Sequence, residues 1–556
     1  MRFFAAATAL ILTASAQLQQ TTPTFRSTTR LVELSVTALD KDGKGITDLA
    51  QKEFTVLENG KPRAIAIFRF EGATPAELKE APAASLPAGV FTNSVEFTPG
   101  PVRNITALVI DELNTAPQDS MRVRAMVTRY LKALTPQTRM AVYHMSRKLT
   151  VLHDFTDDFE SLRARVQKSA LALPLQHEGD FDRSVIEAEQ LVNMFAGDPQ
   201  MQAMMEEVMR NQLEVEMMMD AAARRRRLDL TLVTMEALGR HLEGIPGRKS
   251  LIWISGGISI ISVTGAMGFG PRGGIESYED KIRRTSQRLA QQGVVLYIVD
   301  AKGLTLPNWM SASSPGAMPV RGRGRFEPQQ DAVNMSTDPF PAMNLMASTT
   351  GGRFLHNTND LLAGFSRAAA DLRGSYTLGF YATEEPDRKW HKVSVRVSRK
   401  GVNVRHRQGY LAELPAGNRG EWTPESWNAV ISNPIGSTAV LVTASAVALK
   451  ESGNVRIALR LEPSSLHFRK DGNFLQADIQ ITVADKPVGG AARRHTESAS
   501  VRLEAAKWAA AARGGLAWGR EWKPLEEAVM ARVIVRDMTT GRYGTLDVPL
   551  KKIPVQ

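Results

Sequence analysis

The residues best suited to chemistry stand where a mainly apolar run, Asn104 to Ile110, ends abruptly in Asp111, followed by Glu112, Leu113, Asn114 and Thr115. A hard cation such as Mg2+ takes oxygen ligands from one or two carboxylates and from hydroxyls, and it keeps several waters. A carboxylate from a partner protein can then replace one of those waters. The competing use of the same residues is loop capping, in which an Asp side chain accepts from nearby backbone N–H groups. Signatures of catalysis are missing: there is no His-Glu-x-x-His, no Gly-x-x-x-x-Gly-Lys-Ser/Thr and no Gly-x-Ser-x-Gly. The stretch Trp253-Ile254-Ser255-Gly256-Gly257 looks like a nucleophile elbow without its leading glycine. The nine histidines are scattered without ligand spacing, and His144 and His153 read as structural residues on or beside a strand. These patterns point to binding. An extracytoplasmic hydrolase with a site near Ser255 is the reading from another class.

Such a site needs a rigid frame. Apolar runs at 106–110, 140–146 (continuing near 151–153), 250–254 and 294–299 read as strands buried on both faces. Amphipathic stretches at 120–134, 159–171, 228–242 and 278–291 alternate with them, and in the first Met121, Val123, Met126, Val127, Tyr130 and Leu131 recur at helical spacing. Strands and helices in alternation predict a mostly parallel sheet covered on both faces. In such a sheet ligands bind outside the carboxyl ends of the strands, where Asp111 would lie. Two insertions interrupt the pattern. Residues 180–226 are rich in Met and Glu and read as helical, packing on themselves or on the domain, or else offering an adaptable binding surface. Residues 304–342, rich in Pro, Ser, Gly and Met, read as a mobile loop.

On either side the pattern turns to β. Residues 25–72 contain an alternating strand at 31–39 and a hairpin about Asn59-Gly60 joining 53–58 to 65–70, together a small β-sandwich-like unit. A Pro/Ala-rich linker spans 73–100. Strand signals follow at 375–381, 392–398 and 402–407, the later ones read as a hairpin that extends the central sheet's edge, so the central domain runs from 101 to 411. From 421 to 556 regularly spaced strands predict a second sandwich, with a terminal hairpin about Thr540-Gly541.

The first sixteen residues, with Arg2, an apolar core and Ala14-Ser15-Ala16, have the layout of a cleavable signal peptide, which predicts a periplasmic or secreted protein without stable membrane insertion. The chain has no cysteine, so an exported domain must be stabilised by burial alone. Its net charge of +11 is spread along the sequence, with clusters at Arg224–Arg227 and about Arg321, and together with export this argues against nucleic acid.

Several of these motifs occur in the order found in one family. The strand ending in Asp-x-x-Asn-Thr, the run Gly247-Arg248-Lys249-Ser250-Leu251-Ile252-Trp253-Ile254-Ser255-Gly256-Gly257, the run from Gly293 to Asp300 and that from Gly374 to Phe380 resemble the von Willebrand factor A-related domain proteins of the acidobacterial type. Phe54-Thr55-Val56-Leu57-Glu58-Asn59-Gly60-Lys61 also fits. The resemblance spans about 25–411 and implies a Rossmann-like A domain that mediates protein–protein interaction or adhesion. It also implies a metal-ion-dependent adhesion site built on Asp-x-Ser-x-Ser, a Thr from another loop and an Asp-Gly after the fourth strand. Asp111 matches the first Asp and Thr115 the last hydroxyl, whereas Leu113 replaces the middle Ser and Ser255-Gly256 stands where Asp-Gly is expected. Thr234 is the candidate for the loop Thr. The expected site is therefore degenerate, with Asp111, Asn114, Thr115 and Ser255 as candidate ligands of Mg2+ or another divalent cation. Glu112 and Gly256 complete the expected contact surface for an unnamed protein partner. The expected fold class is α/β plus all-β.

Overall fold

The computed structural model describes residues 30–71, 86–94, 104–133, 139–156, 158–168, 190–195, 197–245, 248–264, 274–303, 339–357, 371, 374–382, 389–412, 420–487 and 491–556. The expected leader and almost all of the 304–342 loop lie outside them. The chain is α/β plus all-β: one mixed sheet with helices on both faces, and antiparallel sheets on either side of it in sequence.

The mixed sheet has six strands, numbered here in chain order: β1 (Asn104–Asp111), β2 (Arg139–Met145), β3 (Leu149–Thr156), β4 (Arg248–Ser255), β5 (Val294–Asp300) and β6 (Arg353–Leu355). Their spatial order is β3-β2-β1-β4-β5-β6. All pairings are parallel except β2 with β3. The sequence reading had β3 as a continuation of β2; the turn at Ser146-Arg147-Lys148 reverses the chain instead. Successive residues of β1 serve opposite faces, as a period of two requires. Ile105, Ala107 and Val109 join one core with residues of α3 (Pro199–Glu243), α4 (Glu279–Gln291) and α5 (Phe340–Thr350). Leu108 and Ile110 join the other with residues of α1 (Pro117–Ala133) and α2 (Phe159–Lys168). Every residue of β4 is buried, which explains a run without polar alternation.

The N-terminal β unit is not self-contained. Arg30–Leu39 pairs along its length with Ser375–Ala382 and, near its end, with Asn403–Arg405, while Phe54–Glu58 pairs with Trp390–Val397. The expectation that the later strands, 392–398 and 402–407, extend the central sheet is thus corrected: with 375–382 they supply about half of a two-sheet unit begun before residue 72, and both halves share one core around Leu34, Phe54, Tyr376 and Phe380. The hairpin about Asn59-Gly60 exists, with both residues at positive φ as a tight turn demands, but its return strand is Lys61–Arg63. Ile67–Phe70 crosses to the other sheet and pairs with Ser375–Ala382. The expected linker is corrected in the same way. Val90–Thr92 pairs with Val442–Ala448 and becomes an edge strand of the C-terminal sandwich.

That sandwich packs sheets of order 516–522/455–461/442–448/90–92 and 469–471/474–487/528–537/543–549, with Arg493–Glu504 on the free side of Phe474–Pro487. The terminal hairpin about Thr540-Gly541 is present. The stretch near 504–517 forms a 3-10 turn followed by the helix Trp508–Gly514.

The units are tied together at the amino-end edge of the central sheet by buried cations. Arg248, at the start of β4, donates to Thr37 Oγ1 at 3.0 Å and to the Tyr297 hydroxyl at 2.8 Å. Arg407 donates to the carbonyls of Ala290 at 3.0 Å and Glu33 at 2.8 Å. The C-terminal sandwich meets the end of α3, where Thr438 Oγ1 accepts from the Gly244 N–H at 2.7 Å and Glu243 pairs with Arg542 at 2.8 Å.

Within the N-terminal β unit Glu58 is 2% exposed and holds the four strands of its sheet together. It accepts from Arg63 Nε at 2.6 Å, faces His391 Nδ1 at 3.0 Å and receives the Tyr410 hydroxyl. Burial acts to raise its pKa, but the Tyr410, His391 and Arg63 hydrogen bonds outweigh it and hold the carboxyl below its ordinary range. A depressed carboxyl stabilises the fold above its unfolded pKa, and that stability is lost as pH falls through the folded value. Glu58→Gln is expected to cost about 3 kcal/mol at neutral pH, with the deficit shrinking in acid. Paired denaturant unfolding at neutral and acid pH checks this, and a deficit that does not change with pH counts against the account.

Candidate functional site

Because β1, β2, β4 and β5 are parallel, Asp111, Met145, Ser255 and Asp300 end at the same edge of the sheet. The strand order reverses between β1 and β4, and open α/β sheets bind ligands at such a switch point. Asp111 and Ser255 flank it.

Asp111 is 1% exposed, and the donors around it explain how a carboxylate survives there. Its Oδ2 accepts from Ser255 Oγ at 2.6 Å, Asn114 Nδ2 at 2.9 Å and the Trp253 indole Nε1 at 3.0 Å. Its Oδ1 accepts from the Asn114 backbone N–H at 3.0 Å. Burial pushes the Asp111 carboxyl up from its ordinary range, opposed by the Ser255, Asn114 and Trp253 hydrogen bonds. Asn114 donates in addition to Thr231 Oγ1 at 2.8 Å, tying the β1 loop to α3. Thr115 Oγ1 accepts from the Gly256 N–H at 3.0 Å, and Ser255 Oγ from the Gly257 N–H at 3.0 Å. The approach of the two loops requires glycine: a Cβ on Gly256 would lie 2.4 Å from the Asn114 carbonyl oxygen, and one on Gly257, at φ +101°, would lie 2.2 Å from Pro339.

Asp111, Asn114, Thr115, Ser255 and Gly256 are thus brought into one hydrogen-bonded cluster. Glu112 turns to a neighbouring group, with its Oε2 2.8 Å from His144 Nε2 and its Oε1 3.3 Å from Arg124. Thr234 lies within α3, and the threonine that reaches the cluster is Thr231, one helical turn earlier. Trp253 is the other member that the sequence reading missed as a polar partner. Its position inside an all-apolar strand hides the indole N–H, whereas a tryptophan two residues before Ser255 on the same strand could have signalled it.

The cluster is mostly closed. Asp111, Thr115 and Ser255 are 1–3% exposed, Glu112 8%, and Asn114 is half-buried. Asp111, Glu112, Thr115, Ser255 and Gly256, expected as partner contacts, are buried in this arrangement and form a floor beneath the loops. What faces outward at this edge is the loop surface: Pro117 and Gln118 after β1, and Arg147 and Lys148 after β2.

The oxygens that a cation could use here belong to Asp111, Asn114, Thr115 and Ser255. Four donors reach the Asp111 carboxylate, three on Oδ2 and one on Oδ1. Three of them are N–H groups, whose hydrogens point where a cation would need lone pairs. The donor set as arranged does not fit a resident cation. Among the described residues no group of three or more His, Cys, Asp or Glu side chains is placed to hold a metal. As a nucleophile Ser255 is poorly placed: its hydroxyl donates to a buried carboxylate, and among the described residues no imidazole is one of its hydrogen-bond partners.

No helix among the described residues is long and apolar enough to cross a membrane. No family model matches the chain, and no curated protein matches it. Among solved structures the chain is similar to the conserved hypothetical protein BatB from Bacteroides thetaiotaomicron, at 11% identity over 49% of this chain and 98% of that one, with a TM-score of 0.21. It is similar to the SpRpn10 VWA domain at 8% identity, with the same coverages and a TM-score of 0.19. Over 96% of this chain and 78% of the other it is similar to three N-terminal domains of the type V pili tip protein Mfa5 from Porphyromonas gingivalis, at 8% identity and a TM-score of 0.22. Likenesses this distant carry no argument about function, so the functional reading rests on the site.

Proposed function

We propose that the chain is an exported, non-enzymatic binding protein whose central unit is a Rossmann-like von Willebrand factor A domain. It engages a protein partner, in interaction or adhesion, through the loops at the carboxyl ends of its strands. The observation that carries this reading is the polar cluster at the switch point, where Asp111 ties the β1 loop to β4 and Asn114 ties it to α3. The strand order and the helices on both faces support the A-domain assignment. The expected export comes from the leader pattern. In this reading the site works without a resident cation: hydrogen-bond donors neutralise Asp111 and fix the loops, and the exposed residues about Gln118, Arg147 and Lys148 meet the partner.

A photo-cross-linking residue at Gln118 or Arg147 is expected to capture one protein partner in the native host, and the same residue at Lys41, in the N-terminal β unit, is not. Capture from both places alike, or from Lys41 alone, overturns the assignment of the face.

Cation independence is checked by thermal unfolding in Mg2+, Mn2+, Ca2+ or chelator. A cation at a hundredfold excess over its Kd would add about 2.7 kcal/mol to the native state, and no such shift is expected. A midpoint raised by a cation in wild type but not in Asp111→Ala would sink the metal-free reading. Asp111→Ala itself leaves the Trp253, Ser255 and Asn114 donors without their acceptor, at an expected cost of roughly 2–3 kcal/mol.

The raised pKa of Asp111 sets the sign of a pH test. Stability from a raised carboxyl is fully present below its unfolded pKa and is lost as pH rises through the folded value. Wild-type stability relative to Asp111→Asn is therefore expected to decline from acid toward neutral pH. A difference that grows with pH would show the donors outweighing burial.

A further inference from the structure

The N-terminal half of α3 carries a second interface. From Leu228 onward the helix buries Leu228, Leu232, Met235, Leu238 and Leu242 against the central sheet. Before that point apolar residues recur in steps of three and four at Met201, Met204, Val208, Val215 and Met218, with Asn211 and Ala222 in the remaining places of the same series. In a heptad frame the first positions are Met201, Val208, Val215 and Ala222, and the fourth positions are Met204, Asn211 and Met218. All seven are exposed. The five Met and Val members are 38%, 55%, 49%, 51% and 45% exposed in sequence order. An isolated exposed methionine is ordinary, but an aligned row of them on a helix is not.

We propose that this stripe is the seam of a two-stranded coiled coil formed with a second copy of the same chain. Repetition every 3.5 residues keeps a stripe facing a partner helix along its whole length, which a stripe matched to a flat sheet does not need. A partner helix in parallel, in-register alignment presents the same series, so Met and Val layers meet their equals. Asn211 meets its counterpart, and the two amides bond each other; an antiparallel partner would set Asn211 against Val208 and leave the amide buried without a mate. A single polar residue in such a seam fixes register and costs stability. The seam runs from Met201 to Ala222, which at 1.5 Å per residue is roughly 32 Å. Closing it removes on the order of 1,000 Å2 from water in total, at the lower limit for a specific interface, so the dimer is reversible and concentration-dependent. The proposal uses none of the Asp111 cluster and stands or falls independently of it.

The test is the mass of the full chain in solution, by sedimentation or light scattering, from about 1 to about 200 µM. Wild type is expected to pass from monomer to dimer across that range. Val208→Glu and Met218→Glu should hold the chain monomeric with an unchanged unfolding midpoint at the dilute end. Val233→Glu, exposed on the docked half of the same helix, should dimerise as wild type does. Asn211→Leu should shift the transition to concentrations at least tenfold lower. The chain has no cysteine of its own, so Val215→Cys gives a clean second readout, and parallel pairing predicts a disulfide-linked dimer under mild oxidation. A wild type that stays monomeric throughout, or seam variants that dimerise as wild type does, overturns the proposal.

Discussion

Much of the central unit depends on one constraint: a carboxylate buried at the end of its innermost strand pair. Asp111 ends β1, and at 1% exposure its charge would be untenable without donors. Each donor comes from a place whose position it thereby fixes. Trp253 anchors the carboxylate to the interior of β4, Ser255 to the end of β4, and Asn114 to the loop after β1, while Thr231 extends the chain of contacts to α3. The glycines at 256 and 257 let the loops come this close. The result is a rigid floor at the switch point of the sheet.

The opposite edge of the sheet is built by the converse device. There the buried cations Arg248 and Arg407 donate to hydroxyls and carbonyls of the N-terminal β unit, of β5 and of α4. A guanidinium presents several donors in a fixed fork, so it can bridge elements distant in sequence without a matching carboxylate. The sheet thus has one edge clamped to the β unit and the other left to its loops. Binding surfaces belong on loops held by a rigid scaffold, and this division supplies one.

The four inner strands of the central sheet, β1, β2, β4 and β5, were legible because burial on both faces leaves a run such as Leu251 to Ile254 with no alternative use. The partners of the antiparallel strands were not legible. Alternation in 31–39 and 392–398 says that each has one buried face, but it does not say whose core that face joins, and the pairing spans more than three hundred residues. Val90–Thr92 is too short to show any period at all. At the site, Asp111, Asn114 and Thr115 were found from residue type, since oxygen-bearing side chains after an apolar run have few structural excuses. Thr231 and the Trp253 indole were missed because their role is set by what lies across the fold. The expectation of a cation followed from matching oxygen atoms to a motif, whereas the protons matter as much: an Asn amide and an indole aim hydrogens at the Asp111 carboxylate.

That exchange alters what the proposed site can do. A site completed by a cation gains and loses its partner's carboxylate with the ion, so its affinity follows cation supply. In the proposed reading the donors Trp253, Ser255 and Asn114 hold the carboxylate in place of an ion, so the floor forms without one. Recognition then falls to side chains that the floor holds in place but does not contain, of which the outward-facing set about Gln118, Arg147 and Lys148 is the basic, solvent-exposed part. Exposed charges of this kind steer encounter and select partners more than they add affinity, and salt screens them. A site that works as proposed therefore gains specificity from its loops and constancy from its core.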